Sequence, residues 1–342
     1  VSKSTEGSSS SGSSTESLSV RTLLAEDEPA WNRFIESSAN ATLFHDPRFL
    51  AYHPKGRFEF RHLFVERGTR LAAIFPGGLR GEGDEVHFIS PVGASIGGPA
   101  LAKRATLVSA LELVEAIKHF AAEATWAGVE MVLAPSIYDL PNHDTLAFAL
   151  SSSGFQLVGR DLSFAIAIQP NGTDRYASLF RSTQANLVRG ARRNGVTVER
   201  GGLELLPDFL SVFADTYARH GVSPTHTPEE IADLLVRLPD RIFVVVAKRD
   251  GVTVAAVLLF LMTSHVALTF YICSSTEHAR ENGTLVIIAA LLDDLAADGF
   301  HYLDLGPSAS EKRTNTGVVN FKESLGAFGT TRDRWVWSAT NG

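Results

Sequence analysis

The chain has 342 residues, of which 44% are hydrophobic and 20% charged, with a formal net charge of −7 and a single cysteine, Cys273. This length and composition suit about two ordinary globular domains. One cysteine excludes an intramolecular disulfide framework and a cysteine-rich metal site and points to the cytoplasm, while the negative balance argues against broad nucleic-acid affinity and against DNA as a partner.

The chain opens on a run rich in serine, Ser8-Ser9-Ser10-Ser11-Gly12-Ser13-Ser14. It has almost nothing apolar to bury, so residues 1–18 are expected to be a disordered tail, and they lack the apolar core of a signal peptide. A helix over 28–36 leads into Leu43-Phe44-His45-Asp46-Pro47, followed by strands at 61–66, 71–76 and 85–89. After a glycine-rich turn at 91–99, a helix over 105–127, a strand over 129–134, a helix over 144–151 and a strand over 156–168 close the first half. The second half opens with a helix over 174–193 and shorter helices over 207–219 and 228–237. Strands at 242–248, 253–261 and 266–272 come next, then an apolar helix over 283–297, a strand over 302–305 and a last strand over 333–338. Residues 252–273 are apolar enough to mimic a membrane span, but Thr263-Ser264-His265 falls in the middle. Two buried strands joined by a polar turn are therefore expected, with no integral membrane segment.

The two halves rhyme. Gly68-Thr69-Arg70-Leu71-Ala72-Ala73 is similar to Gly251-Val252-Thr253-Val254-Ala255-Ala256, and Gly128 to Ser136 is similar to Gly299 to Ser308. Both pairs occur in the same order around a long helix, which points to a duplicated unit. In a sheet that turns parallel after the long helix, ligands gather at strand ends and at the helix N-terminus.

Several stretches carry polar groups suited to chemistry. Arg280, Asn282, Gly283 and Thr284 open the apolar helix, where free N–H groups suit a phosphate; the alternative is an ordinary capped helix start. Asp304 lies between Leu303 and Leu305 and faces opposite to them in a strand. It can orient or deprotonate an attacking amine, or be a satisfied structural carboxylate. Lys322, among Phe321 and Leu325, can hold a phosphate, a carboxylate or an oxyanion, or simply snorkel over an apolar patch. Arg181, Arg189, Arg192, Arg193 and Arg200 make one region locally basic; Arg189 is the candidate ligand-binding residue there, and a solvated face is the alternative. Candidate substrate-binding positions are His45 and the glycine-rich turn (Ser95, Gly97, Gly98) in the first half, and Gly306 and Ser308 in the second. His45, His53, His62 and His87 lack metal-ligand spacing, so no metal is assigned. Ser308 follows proline rather than sitting in a nucleophile elbow. Direct attack by a bound amine is therefore favoured over a covalent intermediate.

These pieces, taken in order, resemble the FemAB-like branch of the GNAT acyltransferase superfamily, whose members carry two GNAT units in tandem. The likeness runs from about Trp31 to Trp337 and is carried by Phe44-His45-Asp46-Pro47, by Pro91 to Gly98, by Asn186 to Val196, by Asp304-Leu305-Gly306, and by Gly317 with Asn320 to Ala327. The resemblance implies an α/β (α+β) fold of two GNAT-like units, each a mixed, mostly antiparallel sheet flanked by helices. Residues 19–170 would form the acceptor unit and 171–342 the acyl-donor unit. It implies transfer of an acyl or aminoacyl group to an amine on a small molecule or a cell-envelope precursor. No tightly bound cofactor is expected; acyl-CoA, the preferred donor, or aminoacyl-tRNA would act as co-substrate. The family's CoA turn, Gln/Arg-x-x-Gly-x-Gly/Ala, is matched at Arg280 and Gly283, with Leu285 at the last small position. Lys322 and N–H groups near Gly306 would stabilise developing charge, and Tyr271 would return a proton to the leaving group. The alternatives are a FemX-like, aminoacyl-tRNA-dependent peptidyltransferase, with tRNA as partner, and a non-catalytic module binding a sugar nucleotide or envelope precursor. The duplicate of Asp304 is Leu133, so the donor site is expected in the second unit.

Overall fold

The computed structural model describes residues 16–139, 143–221, 223–310 and 313–339, so residues 1–15 of the expected tail lie outside the described part. Leu18 already belongs to a strand. The first half runs β1 Leu18–Thr22, α1 Glu28–Ser37, α2 Pro47–Leu50, β2 Glu59–Phe60, β3 Leu63–Arg67, β4 Arg70–Phe75, β5 Gly78–Arg80, β6 His87–Ser90, β7 Ala100–Leu101, α3 Leu107–Glu123, β8 Gly128–Val132, α4 His143–Ser152 and β9 Gln156–Ala167. The second half runs α5 Tyr176–Leu179, α6 Ser182–Arg193, β10 Thr197–Gly201, α7 Leu206–His220, α8 Pro228–Arg237, β11 Ile242–Arg249, β12 Val252–Leu261, β13 Val266–Ser274, α9 Gly283–Ala297, β14 Tyr302–Ser310, β15 Arg313–Thr314, α10 Thr316–Ser324 and β16 Phe328–Ser338.

The long sheet has the order β10-β11-β12-β13-β14-β9-β16-β8-β6-β5-β2, and a smaller one has the order β1-β3-β4-β7. The repeat shows in the connections. Gly68 and Gly251 take positive φ (59° and 79°) in the hairpin turns of the two halves. Each half then runs strand, long helix, parallel strand: β6-α3-β8 and β13-α9-β14. The last strands are exchanged. β9 ends the first half but pairs with β14, whereas β16 ends the second half and pairs with β8 and β9. Neither half completes its sheet alone.

Helix α9 covers one face of the second half's sheet, where Val245, Val257 and Leu259 meet Ile287, Ile288, Leu291 and Leu295. The opposite face packs under α7 and α8, and there Leu43, Phe44, Phe49, Tyr52, Ile137 and Tyr138 of the first half share one core with Leu258, Phe260 and Tyr271 of the second. The expected long helix over 174–193 breaks at Phe180 and Arg181, both extended (ψ 149° and 148°). Phe180 is buried, and the Arg181 N–H donates to the Ser324 carbonyl at 2.8 Å. Burial and that bond outweigh helix continuity. The 252–273 stretch is the β12–β13 hairpin, and no helix among the described residues is long and apolar enough to cross a membrane.

Candidate active site

Strands β13 and β14 pair in parallel only over Val266–Leu268 and Tyr302–Asp304. Beyond that point β13 stays with β12, and β14 follows β9 through irregular register between Asp304 and Pro307. A register shift between Leu258 and Leu259 leaves Phe270 as an extra residue on β13, so the strand bends where the two part. The two parallel strands therefore part, which leaves an opening in their ladder at the end of β13 from which the chain continues to α9.

Asp304 stands where the opening begins. Its side chain is fully buried, on the face opposite Leu303 and Leu305 as alternation requires. Oδ1 accepts from Ser163 Oγ (2.8 Å) and from the Gly306 N–H (2.7 Å). Oδ2 accepts from Tyr138 O–H (2.9 Å) and from Arg332 Nη2 (3.2 Å). Arg332 is itself only 5% exposed, so this is a buried ion pair held by further donors. The carboxylate thereby ties β14 to β9, to β16 and to the turn at Tyr138. Burial and the adjacent carboxylate push the Tyr138 hydroxyl well above its usual range, and it stays a donor.

Lys322 reaches the same strand from α10. Nζ donates to the carbonyls of Leu305 (2.5 Å) and Gly306 (2.7 Å), and the residue is 5% exposed. Burial pushes its pKa down to about 8, against the pull of Asp304. The ammonium has three protons. Two of them are committed to strand carbonyls. Asn315 caps α10 by accepting from the Val318 N–H at 3.2 Å, which fixes the turn that carries Lys322. Gly306 takes φ 77°, and Ser308 Oγ, like Arg332 Nε, is buried without a hydrogen-bond partner among the described residues.

Tyr271 lies on the part of β13 that has left β14, on the α7 and α8 face. Its hydroxyl is 2.7 Å from His226 Nδ1, and His226 Nε2 is 2.7 Å from the Tyr52 hydroxyl. Burial pushes His226 down to about 4 and raises both tyrosines above their usual range.

At the start of α9, an added Cβ on Gly283 would lie 2.7 Å from Val254 Cγ2 and 2.8 Å from Ala255 Cβ. This glycine is therefore required by close packing of the helix on the sheet. Its N–H and that of Thr284 begin the helix, where N–H groups have no intrahelical partner. Asn282 adopts the left-handed conformation (φ 56°) and turns its amide to the Arg280 carbonyl at 2.7 Å instead of capping the helix. Arg280 is exposed, and Leu285 faces the core. A cavity of about 430 Å³ lies elsewhere, against Thr42, Arg241, Leu261, Thr263 and His265, at the far end of the β12–β13 hairpin.

The remaining candidates divide. His45 is 2% exposed, its Nδ1 accepts from the Thr42 N–H (3.1 Å) and its Nε2 bonds the Gly98 carbonyl (3.2 Å). Burial pushes it down to about 4, and both ring nitrogens are occupied, so it braces the glycine-rich turn rather than presenting itself to a ligand. Gly97 and Gly98 are drawn into the same scaffold through Val132 O and Ser90 Oγ, while Ser95 is exposed. Arg189 is exposed on α6 and bonds Asn186, and its neighbours Arg192 and Arg200 pair with Asp174 (2.6 Å) and Asp298 (3.5 Å). Among the described residues no group of His, Cys, Asp and Glu has the arrangement of a metal site. The partners of Asp304 and the pair Tyr52–His226 were not legible in the sequence: Tyr138 lies 166 residues from Asp304 and His226 lies 174 from Tyr52.

Residues 178–322 match the model of the acetyltransferase (GNAT) domain. This segment is similar to a GNAT acetyltransferase domain. It contains α9, β14 and Lys322, and so the whole of the opening. The crystal structure of FemX superposes with a TM-score of 0.73 at 13% identity, covering 93% of this chain and 97% of that one. The C-terminal domain of a putative lysylphosphatidylglycerol synthetase from Agrobacterium fabrum gives 0.56 at 15% identity, with 92% of each chain covered. L-PGS from Bacillus licheniformis gives 0.55 at 12%, with 91% of each chain covered. At these identities the likeness is one of fold, and it covers both halves. No curated protein sequence matches the chain.

Proposed function

We propose that the protein is an N-acyltransferase that moves an acyl group from acyl-CoA to an amine on a small molecule or cell-envelope precursor. Residues 171–342 would bind the donor and 19–170 the acceptor, and the lone buried thiol of Cys273 suits a reducing compartment such as the cytoplasm. The observation that carries this reading is the opening between β13 and β14, with the Lys322 ammonium at its edge and α9 following from the end of β13. The donor's pyrophosphate meets the N–H groups of Gly283 and Thr284 and the Arg280 guanidinium. Its thioester carbonyl lies toward the free proton of Lys322.

The amine lone pair attacks the acyl carbon, and the carbonyl oxygen gains a charge that Lys322 stabilises. Collapse breaks the carbon–sulfur bond, the thiolate takes a proton from Tyr271, and the proton lost by the newly acylated nitrogen returns to Tyr271, so that one proton passes in net from amine to thiol. Asp304, with its four donors, acts by holding β14, Gly306 and Arg332 in place rather than by taking the amine's proton. An aminoacyl-tRNA donor is the second reading, favoured by the fold shared with FemX and with a putative lysylphosphatidylglycerol synthetase.

The test is incubation with acetyl-CoA and longer acyl-CoAs against a panel of amines, read by mass spectrometry alongside calorimetry. Amide formation that ribonuclease does not abolish supports the CoA donor. Ribonuclease-sensitive transfer supports the tRNA donor, and binding without transfer to any amine overturns the enzyme reading in favour of a binding module.

A further inference from the structure

The buried chain Tyr271–His226–Tyr52 has no place in the family motif and joins the two halves at a single imidazole. Tyr271 belongs to β13, His226 to the loop before α8, and Tyr52 to the segment after α2. The imidazole is 4% exposed and both flanking rings are 8% exposed, so solvent does not supply its hydrogen-bond partners. Beyond Tyr52 the contacts continue into the first half. The ring of His53 lies 3.9 Å from that of Tyr52, and His53 Nε2 bonds the Gly93 carbonyl of the glycine-rich turn at 2.8 Å. A neutral imidazole between two hydroxyls passes a proton by exchanging its tautomers, with no net charge left on the ring.

We propose that His226 and Tyr52 are positioning residues that, with Tyr271, form a proton relay across the seam between the two units. This rests on the acyl-transfer reading. In the resting tautomer the His226 Nδ1–H donates to the Tyr271 oxygen and the Tyr52 O–H donates to Nε2. The Tyr271 proton is then not held by His226, and it turns from the neighbouring Tyr217 hydroxyl toward the leaving group. As the carbon–sulfur bond breaks, the electron pair goes to sulfur and the Tyr271 proton follows it. The Nδ1 proton moves to the Tyr271 oxygen, and the Tyr52 proton moves to Nε2. The proton shed by the newly acylated nitrogen then reaches the Tyr52 oxygen through water, which restores both tyrosines and leaves His226 with its proton on Nε2; a tautomer exchange returns that proton to Nδ1 before the next turnover. One proton passes from amine to thiol, and no other reactant is consumed. The groups facing the relay are Glu230, Arg57 and His53 around His226 and Tyr52, and Tyr217, Cys273 and Thr225 around Tyr271. Glu230 is paired with Arg57 at 2.8 Å. With that carboxylate occupied and the imidazole buried, His226 is held neutral.

The experiment uses the full chain and the variants Tyr52→Phe, His226→Gln and Tyr271→Phe. Tyr52→Phe removes one oxygen and leaves the ring contacts intact. The expected result is a kcat lowered about tenfold in Tyr52→Phe and about a hundredfold in the other two, with KM for acyl-CoA unchanged. The solvent deuterium isotope effect on kcat should also fall in Tyr52→Phe. A purely structural role would lower the melting temperature and leave kcat and the isotope effect alone, which would overturn the relay. A second measurement is independent of turnover: ¹⁵N NMR of histidine-labelled protein at pH 6, with His226 assigned by its loss in His226→Gln. The relay requires a neutral ring carrying its proton on Nδ1, and an imidazolium or an Nε2–H tautomer would overturn it. Absence of acyl transfer by the wild-type protein would instead refute the acyltransferase reading and leave the NMR result to judge the hydrogen-bond chain.

Discussion

Replacing Lys322 by methionine separates what the ammonium does for the reaction from what it costs the fold. Burial lowers its pKa from 10.5 to about 8, so the folded protein holds this proton less tightly than the unfolded chain does. Stability therefore rises with pH between about 8 and 10.5, as the charge that opposes burial is lost in the folded state first. Between about pH 7 and pH 10 the wild type should gain about 2–3 kcal/mol relative to Lys322→Met. Other titrating groups cancel in that difference as long as the substitution leaves their surroundings unchanged. Urea titrations followed by tryptophan fluorescence at the two pH values measure it. On the chemical side, loss of the oxyanion donor should lower kcat about a hundred- to a thousandfold. Wild-type kcat should fall as pH rises through about 8, because the third N–H is present only in the protonated form. Full turnover in Lys322→Met, or a stability difference independent of pH, would refute the assignment.

Asp304→Asn should destabilise the protein by about 3–5 kcal/mol, because it strands the buried Arg332 charge, and denaturant midpoints will show it. The same variant should move the pH midpoint of kcat below that of the wild type, since Asp304 helps to keep Lys322 protonated. Gly283→Ala forces a methyl group against Val254 and Ala255 and should cost about 1–3 kcal/mol, read as a lower melting temperature. Arg280→Ala, at an exposed position, should leave stability within about 0.5 kcal/mol and raise KM for acyl-CoA.

Much of the fold was legible because it is written locally. The apolar run 283–297 became α9 with the expected bounds, since a glycine opens it and the run is hydrophobic on nearly every side. The hairpin turns at Gly68 and Gly251 followed from matched Gly-to-strand junctions. The exchange of β9 and β16 was not legible, because pairing partners across a duplicated unit are chosen by which sheet edge is near, not by local pattern. Helix α10 was missed although Asn315 is its cap: the segment is short and only weakly amphipathic. Strand β14 was expected to stop at Leu305, but its pairing with β9 resumes beyond Gly306, which carries it to Ser310. At the site, the facing of Asp304 could be read from its leucine neighbours, whereas the donors that satisfy it come from β9, β16 and the Tyr138 turn. His45 looked like a ligand-binding histidine because a sequence does not show that both ring nitrogens are engaged.

The most direct test of the proposed donor site is a crystal structure of the protein with acetyl-CoA. The account predicts the pyrophosphate at the N–H groups of Gly283 and Thr284, the pantetheine arm between β13 and β14, and the thioester oxygen within hydrogen-bond reach of Lys322 Nζ. A donor bound in the first unit, or in the cavity beside Arg241 and His265, would contradict it.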